Sequence, residues 1–221
     1  MEHRRGVHLD APPTDQLTLQ METNWEEKYQ RNETPWNKGN PCPGLVEFLQ
    51  NNPVTGRVLV PGCGFGHDVR ALALTADQVL GIDLAPSAIH AAKSFPPEGG
   101  EDYSCLDLFA LPLDFCGSFA WVWEHTCFCA INPQRRPEYV RAVASALQPN
   151  GYLLAIFYLN PDNDQPEGEP PFGTSPDELH QLFGSHFQLI RSWTPIANYP
   201  GREGRELMQL LQRKPELPSI S

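Results

Sequence analysis

Two short apolar runs and the glycine-rich turn between them constrain this chain more than any other feature. The first run and its turn read VLVPGCGFGHD over residues 58–68, and the second run reads VLGID over residues 79–83. Gly62 and Gly64 let the backbone turn sharply and approach a ligand closely. Because Asp83 ends the second run, its carboxylate can accept both hydroxyls of a ribose. The pattern predicts a nucleotide-type α/β fold with a ligand at the strand ends.

The acid that follows the turn narrows the ligand. A dinucleotide-binding turn has the pattern G-x-G-x-x-G and opens onto a pyrophosphate, whereas this chain has G-C-G-x-G-x-D. The Asp68 carboxylate would repel a pyrophosphate and would suit an ammonium group. We therefore expect S-adenosylmethionine (SAM), whose methionine part carries an ammonium and whose sulfonium is a second cation. The alternative is a glycine-rich connector that binds nothing.

Apolar runs alternate with helical patterns along most of the chain. This alternation predicts a mostly parallel sheet with helices on both faces. The predicted helices include one that runs to Pro149 and Gly151, and one with a capping box made by Ser175 and Glu178. The last two runs predict a terminal antiparallel hairpin. The predicted strands are RVLVPG, QVLGID, YSCLDL, SFAWVWE, YLLAIFYL, FQLIRSW and RELMQLLQRK.

Composition excludes several classes of partner. The chain has 221 residues and a net charge of −11, so its surface repels phosphate backbones and anionic lipid, and we expect neither nucleic acid nor membrane as a partner. The six cysteines form no C-x-x-C pair, which predicts a reducing, cytoplasmic location. The N-terminus has no apolar segment of the kind that a signal peptide carries. Nothing marks a dimer face, so a monomer is the default expectation.

The domain limits follow from local composition. Residues 1–22 are polar and predict a flexible N-terminal arm or lid, residues 23–214 a single domain, and residues 215–221 a tail. Residues 160–173 are rich in Pro, Gly and acids and follow the most apolar strand. We expect this loop to lie where an active-site lid would be.

The stretch WEHTCFCAI, residues 123–131, ends the fourth predicted strand beside the same cleft. Zinc is a poor explanation, because His125, Cys127 and Cys129 have an odd spacing and alternate across a strand. A cysteine nucleophile with a local histidine is also poor, because adjacent strand positions rarely aim at one atom. We expect the cysteines to pack beside the cleft. Glu124 and His125 would be costly to bury without a role, so we expect both to face the reacting group.

The motifs together resemble the thiopurine methyltransferase superfamily, and within it the thiol and halide methyltransferases. The resemblance covers roughly residues 23–213 and is most specific in TCFCAINPQRRPEY. It implies a Rossmann-like class I SAM-dependent methyltransferase fold with seven strands, acting on a small-molecule substrate. The motifs that carry it are NWEEKYQRNETPWNKGNPCP, VLVPGCGFGHDVRALA, VLGIDLAPSAI, EHTCFCAINPQRRPEYV and GREGRELMQLLQRK.

The resemblance also implies roles for individual residues. Three aromatic residues would close over the cofactor, where their ring faces attract the sulfonium; alternatively they only hold a loose N-terminal helix. Gly62 would line the methionine and Asp83 the ribose, while Asp107, unless it merely caps a turn, and Leu108 would meet the adenine. The full set of expected cofactor contacts is Trp25, Tyr29, Trp36, Gly62, Cys63, Gly64, Asp68, Asp83, Leu84, Asp107, Leu108 and Glu124.

The expected catalytic residues are Glu124 and His125, which stand where the family usually has Asp followed by Tyr or Arg. A histidine can accept a proton near neutral pH, so His125 is either a base for a thiol or an imidazole-type nucleophile, or a polar wall. Arg136, Tyr139 and Phe172 are the other expected substrate contacts, although Arg136 could equally cap loop carbonyls.

Methyl transfer from SAM to a small soft nucleophile, by direct in-line displacement and without a metal, is the predicted function. A thiol, hydrogen sulfide, a halide or thiocyanate would serve as that nucleophile. The alternatives are N- or O-methylation of a small heterocycle with His125 as base, a SAM-binding protein without catalysis, and a nicotinamide-dependent oxidoreductase. Asp68 and the N-terminal tryptophans argue against the last of these.

Overall fold

The computed structural model describes residues 23–161 and 168–215. The predictions for the arm at 1–22, for residues 216–221 of the tail and for the centre of the 160–173 loop lie outside the described residues. Across the part that is described, no helix is both long enough and apolar enough to cross a bilayer.

Strands and helices alternate as the sequence predicts. The strands are β1 (Arg57–Pro61), β2 (Gln78–Asp83), β3 (Glu101–Cys105), β4 (Phe119–His125), β5 (Leu147–Tyr158), β6 (Phe187–Trp193) and β7 (Glu206–Arg213). The helices are α1 (Trp25–Gln30), α2 (Pro43–Leu49), α3 (His67–Ala73), α4 (Pro86–Lys93), α5 (Arg136–Ala146) and α6 (Pro176–Phe183). Four short 3-10 turns cover Leu108–Ala110, Leu113–Phe115, Phe128–Ala130 and Pro133–Arg135.

These strands form one sheet in the order β3-β2-β1-β4-β5-β7-β6. Neighbouring strands from β3 to β5 are parallel. Strand β7 inserts between β5 and β6 and is antiparallel to both. The predicted mostly parallel, seven-stranded sheet with a terminal antiparallel pair is confirmed. The order changes direction beside β1, so β1 and β4 flank the point where ligands bind in open α/β sheets.

Each face of the sheet carries its own core, and this division decides where the β4 side chains go. On one face, Phe128 and Tyr139 pack with α5 and α6. On the other face, Val69 of α3 and Ile89 of α4 pack with Trp123 of β4. Successive residues of a strand point to opposite faces. Residues 123 and 125 therefore lie on the α3 face and residue 124 on the α5 face.

The predicted ends of one helix and one strand are wrong. Helix α5 ends at Ala146, before the predicted stop, and Leu147 already pairs with Phe119; the residue before a proline avoids helical geometry, so Pro149 acts earlier than expected. Strand β3 ends at Cys105, short of the predicted YSCLDL.

The predicted capping box of α6 forms by half. Ser175 Oγ accepts the backbone N–H of Glu178 at 3.2 Å, as a helix N-cap should. The Glu178 carboxylate turns instead to Arg136 and to Thr174 Oγ1, at 2.7 and 2.8 Å. A buried guanidinium offers a charged donor, which is a stronger partner than a backbone amide.

Candidate active site

The glycine turn after β1 is enclosed by two other segments. Gly62 and Gly64 have φ values of 59° and 54°, which a side chain rarely adopts. A Cβ at Gly64 would lie 3.0 Å from the Tyr29 hydroxyl, and one at Gly62 would lie 3.0 Å from the Cβ of Cys127. The turn therefore needs glycine for backbone conformation and for space, and it lies between α1 and the turn after β4.

Asp83 at the end of β2 holds this turn. Its two oxygens accept the backbone N–H groups of Gly64 and Ala85, each at 3.0 Å. The side chain is buried, and burial raises its pKa because a charge is poorly solvated there. The next residue, Leu84, is 54% exposed. Contacts of Asp83 with a ribose and of Leu84 with the cofactor stay predictions.

The three N-terminal aromatic side chains form one cluster over the turn. The ring of Trp36 meets those of Trp25 and Tyr29 edge-on, at centroid distances of 5.4 and 5.6 Å. Trp36 Nε1 donates to the Tyr29 hydroxyl at 3.1 Å, and the Tyr29 ring lies 5.6 Å from that of Phe65 in the glycine turn. The three side chains therefore lie together beside the glycine turn, and their contact with a cofactor stays a prediction.

Helix α1 is fixed to the rest of the domain by an ionic cap. The Glu26 carboxylate accepts the backbone N–H of Ser87 at 2.9 Å and its hydroxyl at 2.6 Å. Ser87 lies in the first turn of α4, where free N–H groups favour an anion. The sequence reasoning did not identify this contact. It explains how a charged helix with no buried residue keeps its place beside the site.

A small cavity of about 60 Å³ joins the glycine turn to the end of β4. Six of the residues that the sequence predicts for the site line it: Trp36, Gly62, Cys63, Gly64, Asp68 and His125. Tyr199, from the segment between β6 and β7, lines it as well and was not predicted. No local pattern marks Tyr199, because its segment is irregular and reaches the site only through the antiparallel end of the sheet.

Glu124 and His125 do not converge, so the prediction that they face one point as a pair is wrong. They are adjacent in β4 and therefore lie on opposite faces of the sheet. His125 lies on the α3 face, where its Nδ1 is 2.8 Å from Asp68 Oδ2. Glu124 lies on the α5 face and accepts the backbone N–H of Phe128 at 2.8 Å. His125 lines the cavity and Glu124 does not. The geometry therefore gives no support to the expected contact between Glu124 and the cofactor.

Asp68 has different partners from the expected ammonium. Its Oδ1 accepts the backbone N–H of Cys42 at 2.6 Å, and its Oδ2 accepts Trp123 Nε1 at 2.8 Å in addition to His125. These donors and the neighbouring imidazole lower the pKa of Asp68 against the opposing effect of burial. An ammonium contact stays a prediction, whereas the contact with His125 is present.

Glu124 is buried with Tyr139 in the other core. The Tyr139 hydroxyl donates to Glu124 Oε2, and both side chains are at most 1% exposed. Burial raises the pKa of Glu124 to about 7. Tyr139, expected at the substrate, lies instead beneath the turn that follows His125. The pair orders that turn, in which Thr126 has a left-handed φ of 62°, a conformation that non-glycine residues seldom adopt without support.

The raised pKa of Glu124 predicts a pH-dependent stability. The folded protein retains this proton up to about pH 7, whereas the unfolded chain releases it near 4.5. The free energy of unfolding therefore falls as pH rises between these values, by up to about 3 kcal/mol. We expect Glu124→Gln to remove this slope in denaturant titrations, since glutamine can accept from Phe128 N and donate to the Tyr139 hydroxyl. Glu138→Gln, on the exposed side of α5, should leave the slope unchanged, and an unchanged slope in Glu124→Gln would contradict the assignment.

Arg136 makes the contacts expected of a residue that caps loop carbonyls. Its guanidinium is buried, pairs with Glu178, and donates to the carbonyls of Phe172 and Gly173 at 3.1 and 3.0 Å. The Phe172 N–H donates to the Cys129 carbonyl at 2.7 Å. These bonds tie the loop before α6 to the 3-10 turn after β4. The structure thus explains Arg136 as an anchor of the loop, and no contact places it at a substrate.

The remaining predicted residues have local roles. Asp107 Oδ1 accepts the N–H of Phe109 at 2.8 Å and so begins a 3-10 turn, which is the turn-cap alternative expected for it; its contact with adenine stays a prediction. Leu108 is buried behind it. Burial raises the pKa of the Cys63 and Cys127 thiols well above the usual range, so both stay protonated and inert. In the described segments, no group of three or more His, Cys, Asp or Glu side chains could hold a metal.

Solved structures share this fold. One is a 1,6-didemethyltoxoflavin-N1-methyltransferase from Burkholderia thailandensis with bound S-adenosylhomocysteine; it superposes with a TM-score of 0.68 over 96% of this chain and 94% of the other, at 16% identity. The protein therefore has the Rossmann-like fold of SAM-dependent methyltransferases.

The family follows from the sequence itself. The family model of the thiopurine S-methyltransferases matches residues 20–196, so the protein belongs to this family. It is a SAM-dependent methyltransferase. Thiocyanate methyltransferase 1 of Arabidopsis thaliana is 33% identical over 192 residues, which cover 84% of this chain and 82% of the relative. A probable thiol methyltransferase 2 of the same plant is 30% identical, with coverage of 72% and 70%. The resemblance inferred from the motifs is confirmed, both for the thiopurine methyltransferase superfamily and for its thiol and halide methyltransferase branch.

Proposed function

We propose that this protein methylates a small thiol or hydrogen sulfide, with His125 taking the thiol proton. The observation that carries the proposal is the state of His125. Its Nε2 is buried and has no hydrogen-bond partner within residues 23–161 and 168–215, although its ring lines the cavity beside the glycine turn. A buried polar atom without a partner is costly unless a ligand meets it.

The charges around the cavity favour a neutral acceptor. Its described lining has one lysine, Lys38, and one carboxylate, Asp68. The two opposite charges leave little net attraction for an anion such as thiocyanate or iodide. A neutral thiol needs no such attraction, but it must lose a proton to become a good nucleophile, because a typical thiol has a pKa of about 8.5.

Different residues of the site bind the cofactor and receive the proton. Gly62 and Gly64 let the backbone approach the cofactor, and Asp83 accepts the ribose hydroxyls. Trp36 and Tyr29 cover the cationic sulfur with aromatic faces. When bound, SAM supplies a methyl group that its sulfonium already activates. The protein then has to align the acceptor, exclude water and receive one proton at His125 Nε2; alignment alone can lower the barrier by about 7–11 kcal/mol at best.

An acceptor screen tests the proposal. The full chain is incubated with SAM and, in separate reactions, methanethiol, hydrogen sulfide, a bulky thiol, iodide, thiocyanate and an imidazole, and release of S-adenosylhomocysteine is measured. We expect small thiols to react at least about 10-fold faster than either anion at pH 7.5, since only they use the base. SAM, and not NAD, should raise the melting temperature.

The same screen separates the competing functions. Faster turnover of the anions would contradict the thiol assignment, and faster turnover of a heterocycle would identify an N- or O-methyltransferase that uses the same base. Thermal stabilisation by SAM with no product from any acceptor would show that the acceptor lies outside these classes and would overturn the proposal.

A further inference from the structure

Asp68 is the only carboxylate among the described residues that contacts His125 within hydrogen-bond distance, and it is itself tightly held. Its side chain is 12% exposed, the same fraction as that of His125. Three donors surround it: the backbone of Cys42 from the start of α2, the indole of Trp123 from β4, and the His125 ring. Because it sits in the first turn of α3, the helix N-terminus adds favourable potential for its charge.

The contact with Asp68 determines which ring nitrogen carries the proton. An ionised carboxylate can only accept hydrogen bonds, so Nδ1, which lies 2.8 Å from Asp68 Oδ2, must be the donor. The neutral imidazole then has its lone pair on Nε2. That is the nitrogen that is buried and without a partner in the described ranges. The basic nitrogen of the neutral ring is therefore the buried Nε2, in a ring that lines the cavity.

Tyr199 fixes the plane of the same ring. Its ring stacks on the imidazole at a centroid distance of 6.0 Å and an interplanar angle of 19°. The Tyr199 hydroxyl donates to the Asn40 carbonyl at 2.6 Å, and Arg202 lies 5.7 Å from its ring centre. Asp68 holds one edge of His125 and Tyr199 holds one face, so rotation about the side-chain bonds is restricted from two directions.

We propose that Asp68 is a positioning residue for methyl transfer, which keeps His125 in the Nδ1–H form so that Nε2 can remove the acceptor proton. This proposal rests on the proposed function. In the reaction, the acceptor S–H bond breaks and its proton passes to Nε2; the sulfur electron pair forms the new S–CH₃ bond as the bond from the methyl carbon to the sulfonium breaks. The imidazolium is stabilised by Asp68 and afterwards returns its proton to solvent.

A purely structural role makes a different prediction. Asp68 also joins α2, α3 and β4 through Cys42 and Trp123, and loss of that junction would reduce activity toward every acceptor alike. Loss of the base would reduce activity only toward acceptors that arrive protonated. The two roles are therefore separable by the acceptor and by the tautomer of His125.

The decisive measurement is the ¹⁵N chemical shifts of the His125 ring nitrogens in the full chain, which distinguish the two tautomers without any turnover. In the unchanged protein we expect a protonated Nδ1 and a bare Nε2 over the pH range in which the ring is neutral. In Asp68→Asn, the amide can donate to Nδ1 and we expect the proton on Nε2. A wild-type ring with its proton on Nε2 would overturn the proposal even if the variant failed to fold.

Steady-state kinetics with three acceptors provide a second test of the proposal. Asp68→Asn should lower turnover of methanethiol at pH 7.5 by about 100-fold or more, as a misplaced proton removes general-base catalysis. Turnover of iodide, and of an aromatic thiol already ionised at this pH, should change by less than about 3-fold. Equal losses with all three acceptors would show that Asp68 is structural. Failure of the unchanged protein to methylate any of them would instead refute the proposed function.

The matched control is Asp177→Asn. Asp177 occupies the equivalent second position of α6, is exposed, and is not among the residues that line the cavity. The same loss of charge should therefore alter neither the tautomer of His125 nor the rates. The methanethiol loss in Asp68→Asn should also shrink at high pH, where the thiol ionises unaided. The titratable groups in contact with His125 are Asp68 from α3 and Tyr199 from the segment before β7. Glu124, the preceding residue of its strand, lies on the opposite face of the sheet.

Discussion

Replacing Asp83 by asparagine is expected to weaken the binding of SAM by about 100-fold or more. Asp83 is buried and already accepts the N–H of Gly64 and of Ala85. Two ribose hydroxyls would add charge-assisted hydrogen bonds worth about 1.5–3 kcal/mol each, and each 1.4 kcal/mol is a factor of ten in affinity. Asparagine also turns an N–H₂ group toward one of the two backbone donors, which disturbs the glycine turn.

Isothermal titration with SAM measures the effect, and Asp77→Asn is its control. Asp77 lies just before β2, at the opposite end of the strand from Asp83, and it also accepts a glycine N–H, that of Gly56, at 3.0 Å. The same substitution at the two ends of one strand separates the cofactor site from the general loss of a carboxylate. An affinity in Asp83→Asn within about 3-fold of that of the unchanged protein would refute the cofactor placement.

His125→Phe is expected to lower turnover of methanethiol by about 10²–10⁴-fold, the range that general-base catalysis provides. Phenylalanine keeps a flat ring that can stack on Tyr199, so the cavity wall is largely retained. It leaves Asp68 with one donor fewer, and some loss of stability should accompany the change. Turnover of iodide should fall far less, because iodide carries no proton.

Steady-state kinetics with both acceptors checks this result, with melting temperatures recorded alongside. His186→Phe, at an exposed position between α6 and β6, should leave both rates unchanged. If His125→Phe lowers the two rates equally, the histidine shapes the wall and does not move a proton. That outcome would favour a different explanation for the buried Nε2 atom.

The fold could be predicted from the sequence because the patterns that indicate it are local. Glycines at a strand end, an acid at the end of the next strand, and apolar runs of strand length each report on a few consecutive residues. The positions of Gly62, Gly64 and Asp83 follow from those signals alone, and the structure brings them together. The helix end at Ala146 was misplaced because the effect of Pro149 on its preceding residue begins before the proline.

The contacts between side chains within the site were harder to predict from the sequence. Successive residues of a strand point to opposite faces, so Glu124 and His125 must lie on different faces of the sheet. Which helices cover each face depends on the sheet order, which the local sequence does not give. The contacts of His125 with Asp68 and Tyr199 join positions 57 and 74 residues away along the chain, and no spacing rule identifies them. The pairing of Glu26 with Ser87 is of the same kind, since a glutamate in a charged helix gives no sign of which distant donor it will accept.

The hydrogen bond between Tyr199 and Asn40 spans 159 residues of chain, and this span imposes an order of assembly during synthesis. Strands β1 and β2, with the glycine turn and Asp83, emerge from the ribosome well before Tyr199 does. The contact cannot form before both residues have been synthesised, and closing so long a loop adds an entropic cost. The residues of the glycine turn are therefore made long before the wall beside His125 can be completed, which requires the segment that holds Tyr199.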